Sequence, residues 1–225
     1  MSKVKELPIL FRAPMVRAIL GGQKTVTRRV IKQATGPSLS VEMLESGQAL
    51  LSWLIGHGPG YEMGEQLKFV DCPYGVVGDR LWVRESWQAD AQLDSVAPRE
   101  LSQGEPIRYP ADEAIRHTGC AMITPGKTRP SIHMPRWVSR ILLEITDVRV
   151  ERLQDISDGQ AEAEGIDLDQ LADAQERYDM VADHNMTGRP TTVGQFAYLW
   201  ASINGSGAWD LNPWVWVVEF KRVMP

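Results

Sequence analysis

Lys24, Thr25, Thr27, Arg28 and Arg29 crowd into the stretch Gly21-Gly22-Gln23-Lys24-Thr25-Val26-Thr27-Arg28-Arg29. An amine that can take up a proton, two hydroxyls that can attack a carbonyl and two guanidinium groups that can grip an anion follow a flexible glycine pair. Attack on a carbonyl needs such a set: a nucleophile, a base to activate it and a donor for the developing oxyanion. A threonine hydroxyl is a weak nucleophile until a neighbour removes its proton. A lysine can do so only where burial or nearby positive charge disfavours its ammonium form, and Arg28 and Arg29 supply that charge. In a regular strand Lys24 and Thr27 point to opposite faces, because their separation is odd. Joint action therefore requires Lys24 to sit in the glycine turn, ahead of the regular strand. The alternative is two ordinary strand threonines beside a solvated turn lysine.

Other side chains could complete a site. In Gly78-Asp79-Arg80-Leu81-Trp82-Val83-Arg84-Glu85-Ser86-Trp87, alternation places Leu81, Val83 and Glu85 on one side, with Trp82 and Arg84 on the other. A carboxylate on an apolar face needs a partner or a task, so Glu85 is either ion-paired, with Arg80, Arg84 or Arg136, or part of a site. Trp82 and Trp87 could stack on a base or fill a core. Ser131-Ile132-His133-Met134-Pro135-Arg136-Trp137 could bring His133 and Arg136 to a cleft mouth. Cys72 and Cys120 are the only cysteines and read as free thiols; with His117 and His133 they form no recognised zinc pattern.

The elements that must position these residues follow from periodicity and punctuation. Residues 8–32 read as strand, helix, turn and strand: Pro14 suits a first helical turn, Val16, Ile19 and Leu20 line one face, and Gly21-Gly22 stops the helix. Residues 33–64 are rich in Gly and Ser and read as an insertion; residues 88–130 read as irregular. A long strand is predicted over 141–150. Ser157-x-x-Gln160 is a capping box that opens a helix ended by Gly165. Residues 167–189 read as an acidic helical excursion. Thr192-x-x-Gln195 reads as a second capping box, before a helix with Phe196, Leu199, Trp200 and Ile203 on one face and Asn204-Gly205 at its end. Residues 214–220 read as a closing strand. Strands separated by few short helices predict an α+β fold, a small mixed β-barrel, rather than a doubly wound sheet. No glycine-rich phosphate loop is present, so a nucleotide cofactor is not indicated.

Taken together, the Lys-Thr-x-Thr-x-Arg turn, the Gly78-Asp79 turn into an apolar strand and the closing Val217-Val218-Glu219-Phe220 strand resemble the ASCH family of PUA-like β-barrels. The chain looks most like its larger phage- and prophage-encoded members, as a single domain over 1–225 with insertions at about 33–64, 88–130 and 167–194. The resemblance implies RNA or nucleoside binding. One branch of the family removes the acetyl group from N4-acetylcytidine, using a lysine as proton acceptor, a threonine three residues later as nucleophile and a distant glutamate as proton donor. By that resemblance Lys24, Thr27 and Glu164 are the catalytic candidates, Glu164 standing in Ala161-Glu162-Ala163-Glu164. Its position at a helix C-terminus disfavours a second negative charge, which suits a proton donor. Thr25, Arg28, Arg29, Glu85, Trp87, His133 and Arg136 are the candidate substrate-binding residues. An RNA-binding module without chemistry, or a single-strand ribonuclease, would use the same cleft.

Bulk properties agree with this class without selecting it. The 225 residues can bury a full core, the composition is 43% hydrophobic and 24% charged, and the formal charge is −5. An acidic total excludes a uniformly basic coat but not a local basic groove. The first residues lack the apolar segment of a secretory signal and no run is long enough to span a bilayer, so a cytoplasmic protein without membrane contact or metal is expected. The expected partner is a modified nucleoside or RNA.

Overall fold

The structure, a computed structural model, describes residues 4–34, 39–55, 64–117, 119, 121–181 and 188–224. It is a mixed α+β fold of ten strands and four α-helices among the described residues. In chain order these are β1 (Glu6–Leu10), α1 (Ala13–Leu20), β2 (Val26–Val30), β3 (Leu39–Met43), β4 (Gln48–Ile55), β5 (Gly64–Asp71), β6 (Arg80–Arg84), β7 (Ile107–Tyr109) and β8 (Ala114–Arg116). Then come β9 (Leu142–Arg152), α2 (Asp158–Ala163), α3 (Leu168–Val181), α4 (Thr192–Asn204) and β10 (Trp214–Val223). The main sheet runs β1-β6-β9-β10-β2. β1 and β6 are parallel, whereas β6 with β9 and β10 with β2 are antiparallel. Among the described residues no helix is long and apolar enough to cross a membrane.

Two compact units emerge: Met1–Gly22 with Val77–Ile145 and Phe220–Pro225, and Gln23–Val76 with Thr146–Glu219. In the first, Ile9, Leu81, Val83, Leu143 and Ile145 are buried strand residues. A further cluster of Trp87, Ala89, Leu101, Ile107, Tyr109, Met134 and Val138 underlies the irregular region. That region, 88–130, carries the short β7–β8 hairpin. Elsewhere it is held by isolated antiparallel bridges, Gln88 with Arg108 and Asp90 with Pro125 among them, and by side chain to backbone bonds: Asp90 accepts from the backbone N–H groups of Gln92, Ile123 and Thr124. Arg129 donates to the carbonyls of Val96 and Leu93.

In the second unit the core joins Val26, Val215 and Val217 of the sheet to Leu153, Ile156, Ala161, Ile166, Leu171, Phe196 and Trp200. Each large apolar side chain so buried contributes roughly 1.5–3 kcal/mol. Here the expectation for 33–64 needs correction. Instead of a loop-like insertion, the described part forms β3 and β4, which pair with β5 in an antiparallel sheet. Its composition hid this: a Ser40–Ser52 hydroxyl contact of 2.6 Å stands where a cross-strand apolar pair would have signalled a sheet. Gly47, at φ 82°, makes the β3–β4 turn.

Both helix starts are capped. Ser157 and Gln160 form the expected reciprocal capping box, and Gly165 at φ 80° follows the helix end. Because this cap fixes the register of α2 and hence of Glu164, Ser157→Ala is expected to destabilise the protein by about 1 kcal/mol in urea denaturation. At α4 the cap lies one residue earlier than expected: the Thr191 hydroxyl accepts from the Gly194 N–H at 3.0 Å, with no capping box. Of the Thr191-Thr192 pair the first threonine serves as the cap, where the second was expected. Phe196 and Trp200 are buried as expected, but Ile203 is 40% exposed because the apolar stripe outruns its cover.

Candidate active site

Lys24, Thr27, Arg28 and Glu164 lie in the second unit and are all almost wholly buried. The regular strand begins at Val26, so Lys24 does precede it, not in the glycine turn itself but in the irregular link that follows Gly22 at φ 78°. The C-terminal turn of α2 leaves carbonyls without helical donors. Two of them are filled from the approach to β2: the Thr25 N–H donates to Ala163 O at 2.9 Å, and the Lys24 ammonium donates to Glu164 O at 2.8 Å. The same ammonium donates to Val26 O at 2.7 Å and to Glu164 Oε2 at 2.6 Å. Those contacts use all three of its protons. Lysine is favourable here because a helix C-terminus attracts a cation.

Arg28 reaches Glu164 Oε1 at 3.4 Å and Glu151 Oε2 at 3.1 Å. The cluster is shielded from bulk solvent: side-chain exposures are 2% for Lys24, 0% for Arg28 and 5% for Glu164. Burial pushes the proton affinity of Lys24 below that of an ordinary lysine; Glu164 opposes this, and Arg29 and Arg28 reinforce it. The register of β2 with β10 sorts the other residues. Val26 and Arg28 share a face with Val217, whereas Thr27 and Arg29 share the opposite face with Val218 and Trp216. The described contacts thus unite Lys24, Arg28 and Glu164, while Thr27 leaves β2 on the other side. Its link to the cluster is the backbone: the Val26 carbonyl that accepts from Lys24 belongs to the peptide bond leading into Thr27. Arg29 is half-buried and Thr25 exposed.

Glu85, Trp87, His133 and Arg136 belong to the first unit. Glu85 is 1% exposed, as its side of β6 predicts, but its partner is none of the three arginines expected. Arg140 forks it at 2.9 and 3.0 Å, and also bonds Asp112 at 2.9 and 2.8 Å. Its guanidinium carbon lies 4.0 Å from the centre of the Tyr109 ring. Sequence missed this partner because Arg140 sits just before β9, outside every periodic segment. Trp87 is fully buried beneath Arg129 and is core, not a stacking platform for a base. His133 is exposed on a short 3-10 turn, and Arg136 is tied to Glu6 at 2.9 Å.

Glu151 was not foreseen as part of the cluster. Arg149 donates to it at 2.6 Å and also to Asp147 and Glu219. Its only signal was the alternation of charge along Asp147-Val148-Arg149-Val150-Glu151, which reads equally as a solvated face. Cys72 is a buried free thiol with its pKa pushed up by burial to about 11, and Cys120 lies outside the described residues. Among the described residues no three His, Cys, Asp or Glu side chains are grouped as metal ligands would be. Comparison with known proteins found no matching family model, no matching curated protein and no matching solved structure.

Proposed function

We propose that the protein is an amidohydrolase that removes an acyl group from an N4-acylated cytidine or a related modified nucleoside, on a PUA-like barrel of the ASCH type. One observation carries the reading: the buried 2.6 Å contact between Lys24 Nζ and Glu164 Oε2. Moving a single proton across it converts ammonium and carboxylate into a neutral amine and a carboxylic acid. Those are the base and the acid that amide hydrolysis requires, and a solvent-shielded surrounding favours the uncharged pair. On this reading, as the family resemblance implies, Lys24 accepts the proton of the Thr27 hydroxyl as its oxygen bonds to the acyl carbon, which requires that proton to pass from the opposite face of β2. Glu164 then protonates N4 as the amide C–N bond breaks, releasing cytidine. Water hydrolyses the resulting threonine ester. Arg29, half-buried beyond Thr27 on the same face, then holds the developing oxyanion on this reading.

The reading without chemistry loses support from Arg28. A phosphate-binding arginine must be open to ligand, and this guanidinium is sealed between two carboxylates. The deciding experiment incubates purified protein with N4-acetylcytidine and resolves cytidine by chromatography. Cytidine released in proportion to enzyme is expected. No turnover, with salt-sensitive RNA binding or cleavage of a labelled oligonucleotide instead, overturns the proposal.

A further inference from the structure

Glu164 and Arg28 do not end the buried cluster. From Lys24 the charges alternate outward through Glu164, Arg28, Glu151 and Arg149 to Asp147 and Glu219. Side-chain exposure rises along the way, from 5% at Glu164 to 21% at Glu151 and 43% at Glu219. The innermost three residues carry two positive charges against one negative. Glu151 supplies the missing negative charge. We propose that Glu151 is a positioning residue which, by holding Arg28, limits the grip of that arginine on Glu164 and so sets how firmly Glu164 holds the proton of Lys24. The proposal rests on the amidohydrolase reading for its catalytic meaning, but not for its test.

The physical argument is one of competition. Glu164 offers one oxygen to Lys24 at 2.6 Å and the other to Arg28 at 3.4 Å, while Arg28 stands closer to Glu151 at 3.1 Å. Arg28 Nε has no hydrogen-bond partner among the described residues, so the fork is not saturated and can redistribute. Without the Glu151 charge, Arg28 turns its full attraction on Glu164 and draws that carboxylate from Lys24. The ammonium form then loses support. Without Arg28, Glu164 serves Lys24 alone and the ammonium gains support. Glu164, at the C-terminal cap of α2, and Arg28 of β2 face the Lys24 cluster, and the charge of Arg29 acts on Lys24 from the other face of β2. Glu151, Arg149 and Asp147 of β9 and Glu219 of β10 lie behind Arg28.

The opposite signs make the test decisive. The titration of Lys24 is followed by NMR on the full chain carrying nitrogen-15 lysine, with Lys24→Arg identifying the resonance. Glu151→Gln is expected to lower the midpoint by about half a unit or more, since a unit charge a few ångströms off acts on that scale at a protein surface. Glu151→Asp restores most of it, and Arg28→Gln moves the midpoint the other way. Should Arg28→Gln fail to fold, the Gln and Asp variants of half-buried Glu151 still decide. An unchanged midpoint in Glu151→Gln, or shifts of one sign in Glu151→Gln and Arg28→Gln, overturns the proposal. The rising limb of the pH–rate profile follows the midpoint if the enzyme hydrolyses N4-acetylcytidine. If no turnover is found at any pH, the amidohydrolase reading falls and the titration still answers for Glu151.

Discussion

Lys24→Met is expected to lower turnover of N4-acetylcytidine by about 10²–10⁴-fold, the range that a positioned general base contributes. Methionine fills a similar volume and cannot accept a proton. The same change removes all three hydrogen bonds of the ammonium and leaves Glu164 with Arg28 as its remaining cation. Removing one partner of a buried pair costs about 3–5 kcal/mol, so the loss of activity is read per folded molecule after urea denaturation has fixed the folded fraction. The pH dependence carries a definite sign. The folded state holds the proton of Lys24 less tightly than the unfolded chain, whose lysine titrates near 10.5. Stability therefore rises with pH from the depressed folded value up to about that point, and is flat below it. Lys24→Met abolishes the rise, which urea midpoints at neutral and alkaline pH will register. Thr27→Ala separates the nucleophile from the base. Loss of turnover with unchanged stability assigns attack to the Thr27 hydroxyl. Full turnover assigns attack to water and removes Thr27 from the mechanism.

Much of the framework was legible because it is local. The capping box Ser157/Gln160 with Gly165 fixed both ends of α2, and Gly21-Gly22 separated α1 from β2. Alternation correctly set Glu85 on the buried side of β6. What escaped notice depends on partners distant in the chain. β3 and β4 bury few strongly apolar residues and look like loop until they pair. Arg140 finds Glu85 across 55 positions, and Glu151 finds Arg28 across 123. A sequence offers many arginines for each carboxylate, and only the packed chain chooses among them. The Lys24–Glu164 contact, 140 positions apart, was anticipated through a family resemblance rather than through periodicity. The odd spacing of Lys24 and Thr27 was a physical warning, and the register of β2 with β10 keeps Thr27 on the other face.

Arg140→Gln is expected to destabilise the protein by about 3–5 kcal/mol at pH 7, more than any surface substitution should. The guanidinium is the hub of two carboxylates, Glu85 and Asp112, and truncating it leaves the Glu85 charge buried with neither hydrogen bond of its fork. Burial already pushes the Glu85 carboxyl upward, with the Arg140 fork pulling against it, whereas Arg140 holds Asp112 below the ordinary carboxylate range. Without the arginine, Glu85 is pushed further up and Asp112 loses its support. Both changes make the variant suffer most where carboxylates are ionised. The stability difference from the native protein should therefore shrink as pH falls from 7 toward 4.5, as Glu85 becomes a neutral acid that the apolar face tolerates. Glu85→Gln is the control: Arg140 retains Asp112 and no charge is stranded, so the loss at pH 7 should be smaller, and it should grow rather than shrink as pH falls, because only the native protein gains stability as its raised Glu85 takes up a proton. Urea midpoints of the three proteins at the two pH values measure this directly. A deficit in Arg140→Gln that stays constant between them would mean that Glu85 is sustained by something other than its arginine.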